Sequence, residues 1–426
     1  MNIFFIILEL FMYGFAVFLT LRKRELAILY LPVLFFINTV IGEHVVSAFV
    51  YYGIITFLLI YIIKDNTHFI KANVFAIMLI IYFAVLMGKS SNLIKVRQEV
   101  FNVMWMFFLI PLIPMVFKKY TREVIMKELG ICACILLGIF IINTGLSSML
   151  NYNIHSMYGI TSGVLYGNLY ATDFNIIAVA IFLLLLRAIR TKNILFLVVS
   201  VLALALISLT LRRSVIGLSI LGAGLVVFLF FIQNIKTAMI FGIVAIVAGG
   251  LFFTKTKFLS SFNERYELRQ LDERALDEEK RLYEYELIYR DMFIHHRYSA
   301  WFGYGLLDSP GHYGDGKLYD RSLHSDMTSI AHSSGVLGLV LYLLMFAWAF
   351  IRSIRSSYLR SDNFIIFFCA VVFITFTATG RFTQVGCLSL LMLLLNIPLS
   401  SPAYEAATEE SDEAQPDPDK GQLVLN

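Results

Sequence analysis

The chain has 426 residues, of which 59% are hydrophobic and only 15% charged, with a formal net charge of +4. A soluble globular domain carries about 45–50% apolar and about 25% charged residues, so an ordinary soluble fold is excluded. The small positive excess is scattered over many short loops and excludes a nucleic-acid footprint, so no nucleic-acid partner is expected.

In chain order, apolar blocks close to bilayer length, roughly 20 residues of helix, recur. They lie at 3–21, 26–42, 45–63, 72–88, 101–117, 128–148, 172–189, 193–211, 215–234, 237–254, 334–351, 364–380 and 384–400. The expected fold is an all-α polytopic membrane protein of about 12–13 transmembrane helices, with the bilayer as its first partner. The first block is followed, not preceded, by Arg22-Lys23-Arg24, so it reads as a retained span with its N-terminus outside. Cys132, Cys134, Cys369 and Cys387 all sit inside apolar blocks, where a thiol behaves as a small core residue.

The short connections alternate in basic content. Arg22 to Arg24, Lys64/Lys71, Lys118/Lys119/Arg122/Lys127, Arg187/Arg190/Lys192, Lys236 and Arg352/Arg355/Arg360 share one side. The positive-inside rule makes that side cytoplasmic. The chain then divides into a helical bundle at 1–254, a large external loop at 255–333, C-terminal helices at 334–400 and an acidic cytoplasmic tail at 401–426. The tail is too polar to bury a core and is expected to be disordered. No inverted repeat of the transporter kind is visible.

Two places break the rules for a membrane chain, and both fall on the external side. Thr210-Leu-Arg212-Arg213-Ser214 is squeezed between two apolar blocks. Paired guanidinium groups at a membrane edge either snorkel to lipid headgroups or grip an anion such as phosphate in a forked, bidentate way. The second place is the external loop. Residues 262–297 read as one charged helix on which Arg281, Tyr285, Ile288 and Met292 fall near one line, a partly apolar face expected to pack on the bundle. Arg290 falls about 180° away. Asp277 and Glu286 stand at i−4 to the two arginines, so plain surface ion pairs compete with a binding role.

The stretch Gly303 to His332 is rich in Gly, Asp, Tyr and His and contains Arg321-Ser-Leu-His324-Ser-Asp326. This places His324 one or two helical turns above the membrane edge, where an imidazole is suited to accept a proton near neutral pH. Asp326 orients it only if the backbone there is irregular. Arg321 is a further supporting cation, and His295, His296, His312 and His332 compete for the role. Asp308, Asp315, Asp320 and Asp326 form neither a tight carboxylate cluster nor a His-x-x-x-His pair, so no metal is expected.

These motifs resemble the O-antigen polymerase and O-antigen ligase superfamily of bacterial envelope glycosyltransferases. The matching segments are Leu-Thr-Leu-Arg-Arg-Ser-Val at 209–215, Arg-Leu-Tyr-Glu-Tyr at 281–285, Trp-Phe-Gly-Tyr-Gly-Leu at 301–306 and His-Ser-Asp with Ser-Gly-Val-Leu-Gly-Leu across 324–339. The resemblance covers about residues 205–350. It implies a GT-C-like helical fold in the bacterial inner membrane, with an active site facing the periplasm. The implied substrates are glycans on undecaprenyl diphosphate, as donor and acceptor, with no metal or other cofactor. A chain-length regulator and a flippase are the protein partners of such a system.

Carried onto this chain, the resemblance makes Arg212, Arg213 and Arg281 the diphosphate-binding residues and His324 the catalytic one, with Arg290, Arg321 and Asp326 in weaker supporting roles. Ligases of the family often carry Asn after the histidine and Trp after the loop arginine. Ser325 and Tyr285 stand there instead, which favours a polymerase over a ligase. Tyr304, Tyr313 and Tyr319 are candidates for stacking on sugars. A non-enzymatic transporter or flippase is the rival from another class. It calls for charge deep within spans, where Glu9 and Asp173 are the only candidates.

Overall fold

The computed structural model describes residues 3–41, 44–89, 93–150, 169, 174–209, 213–233, 280–317, 322–380 and 385–401. The helices are α1 (Ile3–Phe18), α2 (Leu31–Val40), α3 (Ala48–Lys64), α4 (Val74–Met87), α5 (Leu93–Phe117), α6 (Arg122–Leu150) and α7 (Asn175–Thr191). They continue with α8 (Ile194–Leu209), α9 (Arg213–Gln233), α10 (Lys280–Tyr289), α11 (Asp326–Arg355), α12 (Arg360–Thr379) and α13 (Val385–Leu395). No strand forms among the described residues, only two isolated bridges. The apolar block at 237–254, residues 255–279 of the expected external loop and the tail from 402 lie outside the described residues.

Each predicted apolar block that falls on described residues carries a helix. Among the described residues, six helical stretches are long and apolar enough to cross a membrane: Ile3–Val40, Glu99–Phe117, Arg122–Ser147, Ser214–Phe231, Asp326–Arg355 and Arg360–Ala378. The fold is an all-α polytopic membrane protein. The two shortest blocks are explained by where they sit. α2 has only 10 residues and is reached from α1 through a π turn and a 3₁₀ stretch, Arg24–Tyr30. α13 has 11 residues, almost all of them buried, packed against α2, α5, α7 and α12. A helix that is apolar on every face belongs inside a bundle, so α13 is a core element with little need of full bilayer length.

α7, α9 and α12 form the packed wall that fixes vertical register. Phe182 of α7 stacks on Phe368 of α12 with ring centroids 4.1 Å apart. Gly222 of α9 sits against both rings, where even a Cβ would approach Phe368 at 3.0 Å and Phe182 at 3.1 Å. Further along, Phe228 of α9 meets Phe364 of α12. The order 222 to 368 and 228 to 364 makes the two helices antiparallel. Extending that register along α9 to its first residue, Arg213, brings its backbone level with about residue 377 of α12.

The basic connections gather at one end of this bundle. Lys23 pairs with Glu128 at 2.6 Å, and Lys119 with Glu25 at 2.7 Å. Arg187 pairs with Glu123 at 2.7 Å, and Arg122 is ion-paired with the fully buried Asp362. Arg352 donates to the Ala72 carbonyl at 2.7 Å. Glu9, by contrast, lies within α1 and is 1% exposed, accepting from the backbone N–H groups of Val45 and Val46 at 2.7 and 3.1 Å. Its carboxylate ties a turn in place, as buried charges must be hydrogen-bonded. Asp173 lies outside the described residues.

Two readings of the loop are corrected. The helix read as unbroken through 297 leaves α geometry at Arg290, where a π turn (Arg290–Ile294) begins, closed by the His295 N–H on the Arg290 carbonyl at 2.7 Å. The wider turn lets the adjacent residues Asp291 and Met292 both point inward, each 2% exposed. The C-terminal helix also starts earlier than its apolar block. α11 begins at Asp326, capped by the Ser325 hydroxyl accepting from Thr328 N–H, and is kinked at Gly335.

Candidate active site

The kink at Gly335 aims the start of α11. Gly335 has φ +66°, and a Cβ there would lie 2.3 Å from the Trp301 carbonyl carbon. Gly303 has φ +71°, and its Cβ would lie 2.6 Å from the Gly335 nitrogen and the His332 oxygen. Only two glycines allow this backbone-on-backbone crossing. It satisfies the groups that the kink releases: Tyr304 N–H donates to the His332 carbonyl at 2.7 Å, and Val336 N–H to the Ala300 carbonyl at 2.8 Å. The Trp-Phe-Gly-Tyr-Gly-Leu segment is thereby a clamp on the helix that follows His324.

The face turned to that helix is the row Glu284, Leu287 and Ile288 of α10 with Asp291 and Met292 of the π turn after it, all buried. With Tyr313 and Leu323, its apolar members form a small core of their own. The expected face, drawn through Arg281, Tyr285, Ile288 and Met292, is rotated part of a turn from the observed one. Tyr285 is half-buried and donates to the Ala378 carbonyl at 3.2 Å, which ties α10 to the end of α12. Burial pushes its phenol above the usual tyrosine range.

His324 sits in the extended stretch before α11 and is gripped twice by Glu284. Its backbone N–H donates to Glu284 Oε2 at 2.9 Å, and its ring Nδ1 lies 3.0 Å from Oε1. Glu284 is 0% exposed, whereas 37% of the His324 side chain meets solvent. A carboxylate on Nδ1 favours the tautomer with the proton there, leaving the lone pair on Nε2. Asp326 does not take this role. It is 1% exposed and accepts from the Tyr342 hydroxyl at 3.1 Å, because the first turn of α11 points it into the bundle.

The other predicted residues fall as follows. The backbone of Arg281 lies in α10, one turn before Glu284, and that of Arg213 opens α9. Because that opening residue is level with the Ala378 region that Tyr285 touches, both arginines belong to the bundle end that carries His324. Arg212, Arg321 and Tyr319 lie outside the described residues. Arg290 is half-exposed and paired with Glu286 at 2.5 Å, the surface pair anticipated as the competing reading.

Among the competing histidines, His332 is 0% exposed, its Nε2 3.2 Å from the His312 carbonyl and its ring 5.3 Å from Tyr304. Tyr304 in turn stacks on His312 at 4.8 Å, a sandwich that stiffens the loop. Tyr313 is 2% exposed and has no face to offer a sugar, whereas Trp301 and Phe302 are well exposed. Arg297 bridges Asp291 and Asp315 and holds the Asp315 carboxyl below its usual range.

Sequence reasoning missed Glu284. The signal was present in the spacing 284, 287, 288, 291, a buried helical row whose polar members have partners in the loop. It was obscured because Glu in a charged helix reads as a solvated residue.

No curated protein matches the chain. A family model described as O-Antigen ligase matches residues 197–343. That segment holds α9, the clamp, Glu284 and His324, so this part of the chain is similar to the O-antigen ligase family.

Proposed function

We propose that the chain is a glycosyltransferase that joins undecaprenyl-diphosphate-linked repeat units on the extracytoplasmic face of the bacterial inner membrane. The observation that carries this reading is the buried carboxylate of Glu284 holding both the backbone and the ring of the half-exposed His324. Nε2 of His324 takes the proton of an acceptor sugar hydroxyl as that oxygen attacks the anomeric carbon of the donor. The bond from that carbon to the diphosphate breaks, and its electron pair leaves with the phosphate oxygen. Displacement from the opposite face inverts the anomeric centre. Glu284 orients the ring throughout, as the carboxylate of a catalytic triad does.

Arg213, its sequence neighbour Arg212, and Arg281 bind the diphosphate and stabilise the charge that builds on it. The lipid diphosphate is already an activated leaving group, so the reaction needs no cofactor. Asp326 and Arg290 are assigned structural roles in this scheme, on the partners described above.

A second reading is a ligase that moves the chain to a lipid A core or a protein, the activity for which the matching family is described. Purified protein in liposomes, given a lipid-diphosphate-linked oligosaccharide, separates the two. A ladder of lipid-linked lengths identifies a polymerase; transfer only to added core lipid identifies a ligase. Release of lipid diphosphate in neither assay overturns both.

A further inference from the structure

The basic end of the bundle contains a cavity that the transferase reading does not use. It has a volume of about 520 Å³ and lies between α6, α7, α9 and α12. One wall is apolar, formed by Met126, Leu186, Ile189, Val226, Leu229 and Phe230. The rim carries four cations, Arg122, Arg190, Lys192 and Arg360.

Arg122 is 5% exposed; its Nη2 is hydrogen-bonded to Asp362 and at 3.5 Å to Ser361, and its guanidinium lies 5.7 Å over the Tyr358 ring. Its Nε and Nη1 are buried without a hydrogen-bond partner among the described residues. Leaving such donors unpaired is costly unless a ligand supplies the acceptors. Asp362 is spent on Arg122 and on the Tyr358 and Leu359 N–H groups, and Glu123 nearby on Arg187. Arg190, Lys192 and Arg360 are exposed and make no ion pair among the described residues. The N-terminus of α12 opens at the same rim and adds its own positive end.

We propose that this cavity binds an anionic phospholipid of the cytoplasmic leaflet, its phosphate on Arg122, Arg190 and Arg360 and an acyl chain along the apolar wall. An oily wall beneath a cluster of guanidinium groups matches a headgroup joined to a hydrocarbon tail. Basic pockets between transmembrane helices on the cytoplasmic side are suited to such headgroups. The inference does not depend on the transferase reading, because it uses none of the same residues.

The test is native mass spectrometry of the full chain extracted from nanodiscs of equal parts cardiolipin and phosphatidylcholine, with the double variant Arg190→Ala/Arg360→Ala and its Lys counterpart. The wild type is expected to retain cardiolipin over phosphatidylcholine. The Ala pair is expected to lose about tenfold or more of that retention, at roughly 1 kcal/mol per basic residue, and the Lys pair to keep most of it. The Arg122–Asp362 pair is untouched in these variants, so folding is preserved, and size-exclusion profiles check it. Equal retention of both lipids, or no loss in the Ala pair, overturns the proposal. Displacement of cardiolipin by millimolar inorganic phosphate also overturns it, since the apolar wall would then contribute nothing. So does retention of lipid only after removal of residues 402–426, because the acidic stretch beyond Ser401 would then be the native occupant.

Discussion

The two ends of this bundle are held together by different physics. At the basic end, long side chains reach across helices to carboxylates: Lys23 to Glu128, Lys119 to Glu25, Arg187 to Glu123 and Arg122 to Asp362. At the histidine end, the decisive contacts are made by backbone. Gly303 and Gly335 cross without side chains, and Glu284 spends one oxygen on the His324 main chain before touching its ring. Long flexible side chains tolerate small displacements, whereas a backbone crossing does not. An end that only has to stay on its side of the membrane can rely on charge. An end that must hold a reacting group within fractions of an ångström is better built on backbone.

Substitutions at the two ends should therefore separate activity from stability. The largest effect is expected for His324→Ala, which should lower glycan transfer by about 10²–10⁴-fold while the protein inserts and purifies as before. Retention of full product length and yield by that variant removes the assigned role. Arg213→Ala should reduce transfer by about 10²–10³-fold, and Arg213→Lys should recover little of it, because a point charge lacks the planar fork. Wild-type turnover in the Lys variant would mean that Arg213 only anchors its helix at the headgroups.

At the other end the expectation inverts. Arg122→Ala leaves Asp362 buried and unpaired, a change that costs about 3–5 kcal/mol in comparable settings. Thermal unfolding in detergent should fall accordingly, with turnover per folded molecule unchanged. Glu284→Gln returns to the histidine end and should show the reverse: folding close to wild type, transfer lower by about 10²-fold, since an amide no longer fixes the Nδ1–H tautomer. If Glu284→Gln unfolds the loop instead, its carboxylate serves the main chain and not the ring.

The sequence carried the bundle more clearly than the site. Apolar blocks and basic loops are repeated signals, so the helices and the clustering of Lys23, Lys119, Arg122, Arg187 and Arg352 at one end were legible. α13 was legible as apolar but not as central, because block length alone does not say what surrounds a helix. The site was legible as a cluster of motifs and not as a set of contacts. Glu284 and His324 are separated by a loop whose path depends on two glycine torsions and one π turn. None of these leaves a periodic trace. Asp326, two residues from His324, was the nearer carboxylate in sequence, yet the capped helix start turns it to Tyr342.

The smallest effect is expected at Arg290, and it is a sharp test of that lesson. Arg290 and Arg281 fall in one charged stretch, each with an acidic residue at i−4, so composition gives them the same standing. The structure separates them: the π turn begins at Arg290, whose guanidinium is half-exposed on Glu286, one turn back along the same surface. An exposed pair of this kind contributes about 0–1 kcal/mol. Arg290→Ala should leave thermal stability within that range and transfer within about twofold of wild type, whereas Arg281→Ala, one turn from Glu284, should not. A loss at Arg290 as deep as that at Arg281 would mean that the substrate reaches around the helix to its exposed face. The acceptor path would then have to be redrawn past Glu286, away from the clamp formed by Gly303 and Gly335.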